Sequence, residues 1–310
     1  MSSGGWRTAL AVGDTVHLTE TVTGVKSRGG WVEYIRVLKP RETSLLAFIG
    51  LATAVLADRG TGSFLNYLFI LGTLIMASAG ANGITNYLDR EIDARMVRTC
   101  RRPLAVGSID PPEKALFFCI ALSILGMGMA WMLHSFVFVA DLVGTLAAVI
   151  WRKRATCVFP QGAIASCAPV LMGWLAVSRS FPVELWLLCA LISFWLPSHI
   201  WSIMTFYRED YRMAGLNYFP LNASFKRVSL ILLATSLLLY GVSLGLYFVR
   251  DSGMIYLISA NILGILIVYA SWRMLTTGRS ISAWQLYRLS AFPYLGMLFL
   301  SLCLDTFFRI

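Results

Sequence analysis

The chain has 310 residues, 57% of them hydrophobic and only 14% charged, with a mean hydropathy of +0.70. That is too apolar for a soluble domain of this length, and it points to a polytopic membrane protein. The net charge of +10 does not mark a nucleic-acid binder, because the basic residues sit in short stretches between apolar runs, beside acidic ones. Six scattered cysteines without Cys-x-x-Cys spacing exclude a disulfide framework or a zinc site.

Residues 1–43 mix Asp14, Glu20 and Glu33 with six basic residues and lack an apolar signal-peptide core. They read as a cytoplasmic N-terminal arm, partly disordered, ahead of one polytopic domain at 44–310. A helix needs about 20 apolar residues to cross the roughly 30 Å hydrocarbon core of a lipid bilayer. Nine candidates follow, at 44–58, 65–85, 113–133, 135–151, 160–178, 182–205, 228–249, 253–272 and 287–308. The expected fold is therefore an all-α membrane protein with nine transmembrane helices. The fourth is short and interrupted by Asp141, which leaves eight spans as the alternative.

Charge orients the bundle, since Lys and Arg concentrate in cytoplasmic loops. With nine spans and a cytoplasmic N-terminus, 22 of the 26 basic residues fall on the cytoplasmic side; Arg59, Arg179, Arg250 and Arg309 face the other. The end of the second span, Asn82-Gly-Ile-Thr-Asn-Tyr-Leu-Asp-Arg-Glu-Ile-Asp93, lies on that basic side. On a helix, Asn82, Asn86, Asp89 and Asp93 follow at spacings of four, three and four and share a face. Charge at membrane depth is costly and usually functional. Two carboxylates one turn apart suit Mg²⁺, which completes its shell with water and phosphate oxygens, so a phosphate ester or diphosphate is the implied ligand. A helix end stabilised by Arg90 and Arg95 at the water interface is the plainer alternative.

Arg98, Arg101 and Arg102 follow, with Pro103 expected to end the helix. Their guanidinium forks match phosphate oxygens, although a solvated cytoplasmic loop is Arg-rich too. Arg152, Lys153 and Arg154 carry the same two readings and lie on the same side. Further on, the sixth span runs into Pro197-Ser-His-Ile-Trp201 and Arg208-Glu-Asp-Tyr-Arg-Met-Ala-Gly215. If the helix continues, His199 and Asp210 are about 20° apart in projection and about 16 Å apart along the axis. Asp210 could then complete the metal site at the mouth. Spacing alone leaves His199 between a packed structural imidazole and a ligand.

Asp89-Arg-Glu-Ile-Asp93 together with a second acidic motif after the sixth span resembles the UbiA superfamily of intramembrane prenyltransferases. Asp93-Ala-Arg-Met-Val-Arg-Thr-Cys-Arg-Arg-Pro-Leu104, with Leu38-Lys-Pro-Arg41, narrows the resemblance to its protoheme IX farnesyltransferase family. Three features depart from the family pattern, one of them the fourth span, which looks several residues short. Thr85 stands in place of Asn, and Lys153-Arg-Ala-Thr-Cys-Val-Phe159 replaces a Lys-Arg-Arg-Thr-Pro-x-Asn run.

The resemblance implies a UbiA-like bundle with a central cavity opening to the cytoplasmic side of the cell membrane. It implies transfer from farnesyl diphosphate to haem B, giving haem O. Asp89, Asp93 and Asp210, with Asn82, would hold Mg²⁺; Asn86, Arg98, Arg102, Lys153 and Arg154 would bind the diphosphate; and His199 would contact or ligate the haem. Association with haem A synthase or terminal-oxidase assembly would follow. Two rivals stand beside this reading: a UbiA-type enzyme acting on another aromatic or tetrapyrrole acceptor, and an inactive haem-binding paralogue or transporter.

Overall fold

In lipid, every backbone N–H and C=O must be paired within the chain, and an apolar sequence without barrel-like alternation can do this only as helices. The computed structural model describes residues 30–150 and 161–308, and these form thirteen helices and no strand. They are α1 (Trp31–Val37), α2 (Pro40–Ala57), α3 (Phe64–Leu88), α4 (Arg90–Arg95), α5 (Glu113–Leu133), α6 (Ser135–Ile150) and α7 (Gln161–Val177). Then come α8 (Val183–Phe206), α9 (Arg208–Met213), α10 (Phe225–Arg250), α11 (Met254–Thr277), α12 (Ser280–Ser290) and α13 (Phe292–Phe308).

All nine expected spans fall on helices. Seven helical runs are long and apolar enough to cross a membrane: α2, α3, α5, α8, α10, α11 and the combined α12–α13 run. α6 and α7 are apolar too, and their described parts run up to Ile150 and from Gln161, on either side of the undescribed residues 151–160. The segment expected as an arm contains α1 and the first turn of α2. Val37 is buried there against Leu104, Ile109, Ala115 and Cys119.

Burial separates the centre of the bundle from its rim. In α8, 56% of the membrane-length window is buried, whereas in α5 only 22% is, leaving Phe117, Ile124 and Trp131 on the outside for lipid. Helix pairing rests on small residues and hydroxyls, because lipid offers no hydrophobic drive for helices to associate. A Cβ on Gly80 of α3 would lie 2.6 Å from the Ser123 nitrogen of α5, and one on Gly173 of α7 would collide with the Gly50 carbonyl of α2. Ser236 of α10 bonds Ser271 of α11 at 2.7 Å and Ser198 of α8 at 3.2 Å.

The packing places residues 38–43, 85–104 and 206–225 at one end of the bundle, and 56–67, 184, 250–256 and 305–306 at the other. The first end carries both acidic motifs.

Candidate functional site

The second span does not run unbroken to Asp93. α3 stops at Leu88, Asp89 caps it, and α4 restarts at Arg90. The row nevertheless survives, because the Asp89 N–H donates to Thr85 O at 3.0 Å and the Asp93 N–H to Asp89 O at 2.8 Å, the one-turn pattern of a helix. Asp89 and Asp93 are 6% and 0% exposed. The helix ends at Arg95, well before Pro103, so Arg98, Arg101 and Arg102 lie on a turn rather than on the helix expected for them.

That turn folds back onto the acids. Arg102 Nη1 is 2.7 Å from Asp93 Oδ2, and the Thr99 hydroxyl donates to Asp93 O at 3.0 Å. The sixth span also breaks: α8 ends at Phe206, Tyr207 leaves helical geometry, and α9 starts at Arg208. The unbroken helix expected from His199 to Asp210 is therefore corrected. The break turns Asp210 onto the first motif, where Oδ1 accepts the Val97 N–H at 2.6 Å and Oδ2 the Arg98 N–H at 3.2 Å. A carboxylate receiving two backbone N–H groups fixes both their direction and its own.

Arg98 is the side chain this arrangement presents. Its Nη2 donates to the Tyr211 hydroxyl at 2.9 Å, and its guanidinium carbon is 5.8 Å from the Tyr207 ring centre and 5.7 Å from that of Tyr211. Its Nε is buried with no hydrogen-bond partner among the described residues. On the far side of α9, Arg208 reaches the carbonyls of Pro220 and Ala223, and Arg212 that of Leu221. Burial first, and then the neighbouring Arg212, draw the Arg208 guanidinium below its ordinary pKa. The short helix thus rivets two loops together.

The remaining expected residues take different places. Asn82 lines a cavity and donates its amide to the Thr43 hydroxyl at 3.0 Å. Asn86 is buried, and its nitrogen bonds the Val37 carbonyl at 3.0 Å, so that part of the side chain anchors α1. Its Oδ1 has no partner among the described residues. Lys153 and Arg154 lie outside the described residues. His199 stacks on Trp195 with ring centres 4.7 Å apart, and its Nδ1 is buried with no partner among the described residues.

His199 is joined to the motif end by a run of rings. Tyr287 lies 5.0 Å from it, Trp284 5.3 Å from Tyr287, and Tyr207, under Arg98, 6.2 Å from Trp284. Spacing on one helix did not reveal this wall, which is built from α8, the residue that ends it, and α12. Lys39 was also missed as a site residue. Held at φ 50° just before Pro40, it places its Nζ 3.4 Å from the Thr85 hydroxyl, at the position that departs from the family pattern. Its signal was its place in Leu38-Lys-Pro-Arg41, directly ahead of an apolar span.

The donor set suits a hard divalent cation, being buried carboxylates with an amide beside them. Among the described residues, no three His, Cys, Asp or Glu side chains are gathered closely enough to hold a metal ion by themselves. Mg²⁺ does not require that, since it is commonly held by one or two carboxylates with substrate phosphates and water completing the shell.

Residues 45–302 match the model of the UbiA prenyltransferase family. Protoheme IX farnesyltransferase of Desulforudis audaxviator is 35% identical over 283 residues, covering 89% of each chain. Protoheme IX farnesyltransferase 1 of Pseudomonas putida is 33% identical over 90% of this chain and 96% of its own. The fold resembles solved structures as well. One is digeranylgeranylglyceryl phosphate synthase, with a TM-score of 0.73 at 18% identity, covering 89% of this chain and 98% of the other. Another is a UbiA homologue from Archaeoglobus fulgidus bound to GPP and Mg²⁺, with a TM-score of 0.61 at 16% identity, covering 87% and 99%.

Proposed function

We propose, for a chain that belongs to the UbiA prenyltransferase family and within it to the protoheme IX farnesyltransferases, the transfer of a farnesyl group from farnesyl diphosphate to the 2-vinyl group of haem B, forming haem O. The observation that best supports a diphosphate site is the clasp of Asp210 on the Val97 and Arg98 nitrogens, which sets a cationic turn over Asp89 and Asp93.

In this reading Asp89, Asp93 and Asp210, with Asn82, would hold Mg²⁺ through their side-chain oxygens. When bound, Mg²⁺ supplies Lewis-acid neutralisation of the charge that develops on the departing diphosphate. Arg98 has an unused Nε–H for a phosphate oxygen, Arg102 stands next to it on the same turn, and Lys153, Arg154 and the Asn86 carboxamide are assigned to the same anion. Ionisation of the C–O bond leaves an allylic cation, which the rings of Tyr207, Trp284 and Tyr287 shelter from water and face with π density. The vinyl carbon attacks that cation, and water then adds to the resulting porphyrin-side cation, releasing a proton. His199 is assigned to haem contact, its unpaired Nδ1 being the available group.

The partition of basic residues supports a cytoplasmic N-terminus and a site opening to the cytoplasm, in a protein assigned to the plasma membrane. The product would pass to haem A synthase or to terminal-oxidase assembly.

The test is conversion of haem B by membranes containing the protein, supplied with farnesyl diphosphate and read by chromatography with mass detection. Haem O is expected, falling at least ~100-fold in Asp89→Ala while the protein still inserts. Absence of haem O with the wild-type chain would overturn the acceptor, and full activity of purified Asp89→Ala would remove the metal role.

A further inference from the structure

The proposed transfer assigns no role to Asp141, which is 4% exposed within α6 and lines a cavity of about 180 Å³ between α2, α3, α6 and α7. We propose that this cavity is a binding site for one monovalent alkali cation, held by the Asp141 carboxylate.

Three observations carry the inference. The carboxylate is poorly partnered: the Thr145 hydroxyl donates to Oδ1 at 3.3 Å, long for an O–H···O bond, and Oδ2 is buried with no partner among the described residues. No Lys, Arg or His pairs with it among the described residues, and an uncompensated carboxylate at membrane depth is strongly disfavoured. The cavity is also bordered by oxygen-bearing side chains from three helices: Ser78 of α3, Asp141 and Thr145 of α6, and Ser166 of α7, leaving aside Asn82, which lines it as well but is assigned above to the Mg²⁺ site.

That set has one negative charge and several neutral hard oxygens. A monovalent cation neutralises it; a divalent cation would leave an excess positive charge surrounded by hydrocarbon. Occupancy would tie α6 and α7 to α3 next to Asn82, the first residue of the Asn82 to Asp93 row.

The test uses the full chain purified in detergent with a chelator present, so that divalent ions play no part. Thermal unfolding is compared in sodium chloride, potassium chloride and choline chloride at equal ionic strength. One of the alkali salts is expected to raise Tm by about 3 °C over choline, saturably. Asp141→Asn should abolish that rise. Thr145→Val, which keeps the carboxylate, should raise the half-saturating concentration about tenfold.

Equal Tm values in all three salts would overturn the proposal and mean that the carboxylate carries a proton instead. A rise that persists in Asp141→Asn would place the ion elsewhere. Should Asp141→Asn fail to fold, an unchanged half-saturation in Thr145→Val is sufficient to overturn it. None of these readouts involves haem or diphosphate, so failure here leaves the transfer reading untouched.

Discussion

Both ends of the bundle hold partly buried arginines in contact with protein acceptors, but the arginines differ in how fully they are engaged. At the end away from the motifs, Arg250 pairs with Glu184, reaches the Leu56 carbonyl at 3.2 Å and bonds the Thr306 hydroxyl at 2.8 Å. It thereby ties α2, α8, α10 and α13 with one side chain. At the motif end, Arg98 and Arg208 each leave a buried Nε without a partner among the described residues. An unpaired buried donor costs about 1–3 kcal/mol, and such a cost is expected where a ligand supplies the missing acceptor. Arg250 and Arg208 spend their guanidinium ends on protein acceptors and act as latches, whereas Arg98 holds a free donor next to the acidic motifs, where a ligand can use it.

Asp93→Asn tests that distinction most severely. The substitution keeps shape and hydrogen-bonding capacity but removes the charge that faces Arg102, itself 27% exposed and able to hydrate. We expect kcat/KM for farnesyl transfer to fall by ~1000-fold with little change in Tm, checked by steady-state assay and thermal melts of the same preparation.

Arg250→Met should do the reverse. Removing one partner of a buried pair strands Glu184, which is 18% exposed, and should cost about 3 kcal/mol of stability. Activity per folded molecule should stay unchanged. A loss of kcat/KM comparable to that of Asp93→Asn would erase the contrast between the two ends.

How much of this was legible differs between spans and site. The helices were readable because apolar runs of membrane length have few other solutions in lipid, and even the fourth, with Asp141 in it, is helical throughout its described residues. The first acidic row was readable because one-turn spacing persists across the break at Asp89. Two things were not. The breaks at Asp89 and Tyr207 have no proline or glycine to announce them; they arise where tertiary bonds, above all Asp210 to Val97 and Arg98, outweigh helix continuation. The aromatic wall around His199 unites residues 195, 199, 207, 284 and 287, and no sequence period connects positions so far apart.

The smallest expected effect asks what Arg98 contributes beyond its charge. Arg98→Lys keeps the cation but loses the fork that bonds Tyr211 while leaving Nε free, and it weakens the stacking over Tyr207 and Tyr211. If Arg98 is a receptor group, the loss should appear as about a tenfold rise in KM for the prenyl diphosphate, roughly 1.4 kcal/mol, with kcat and Tm nearly unchanged. Tyr211→Phe, which frees the guanidinium without moving the charge, should raise KM less. If Arg98→Lys instead lowers Tm and leaves KM alone, Arg98 is a second latch like Arg250, and the unpaired Nε would be a packing cost with no ligand behind it.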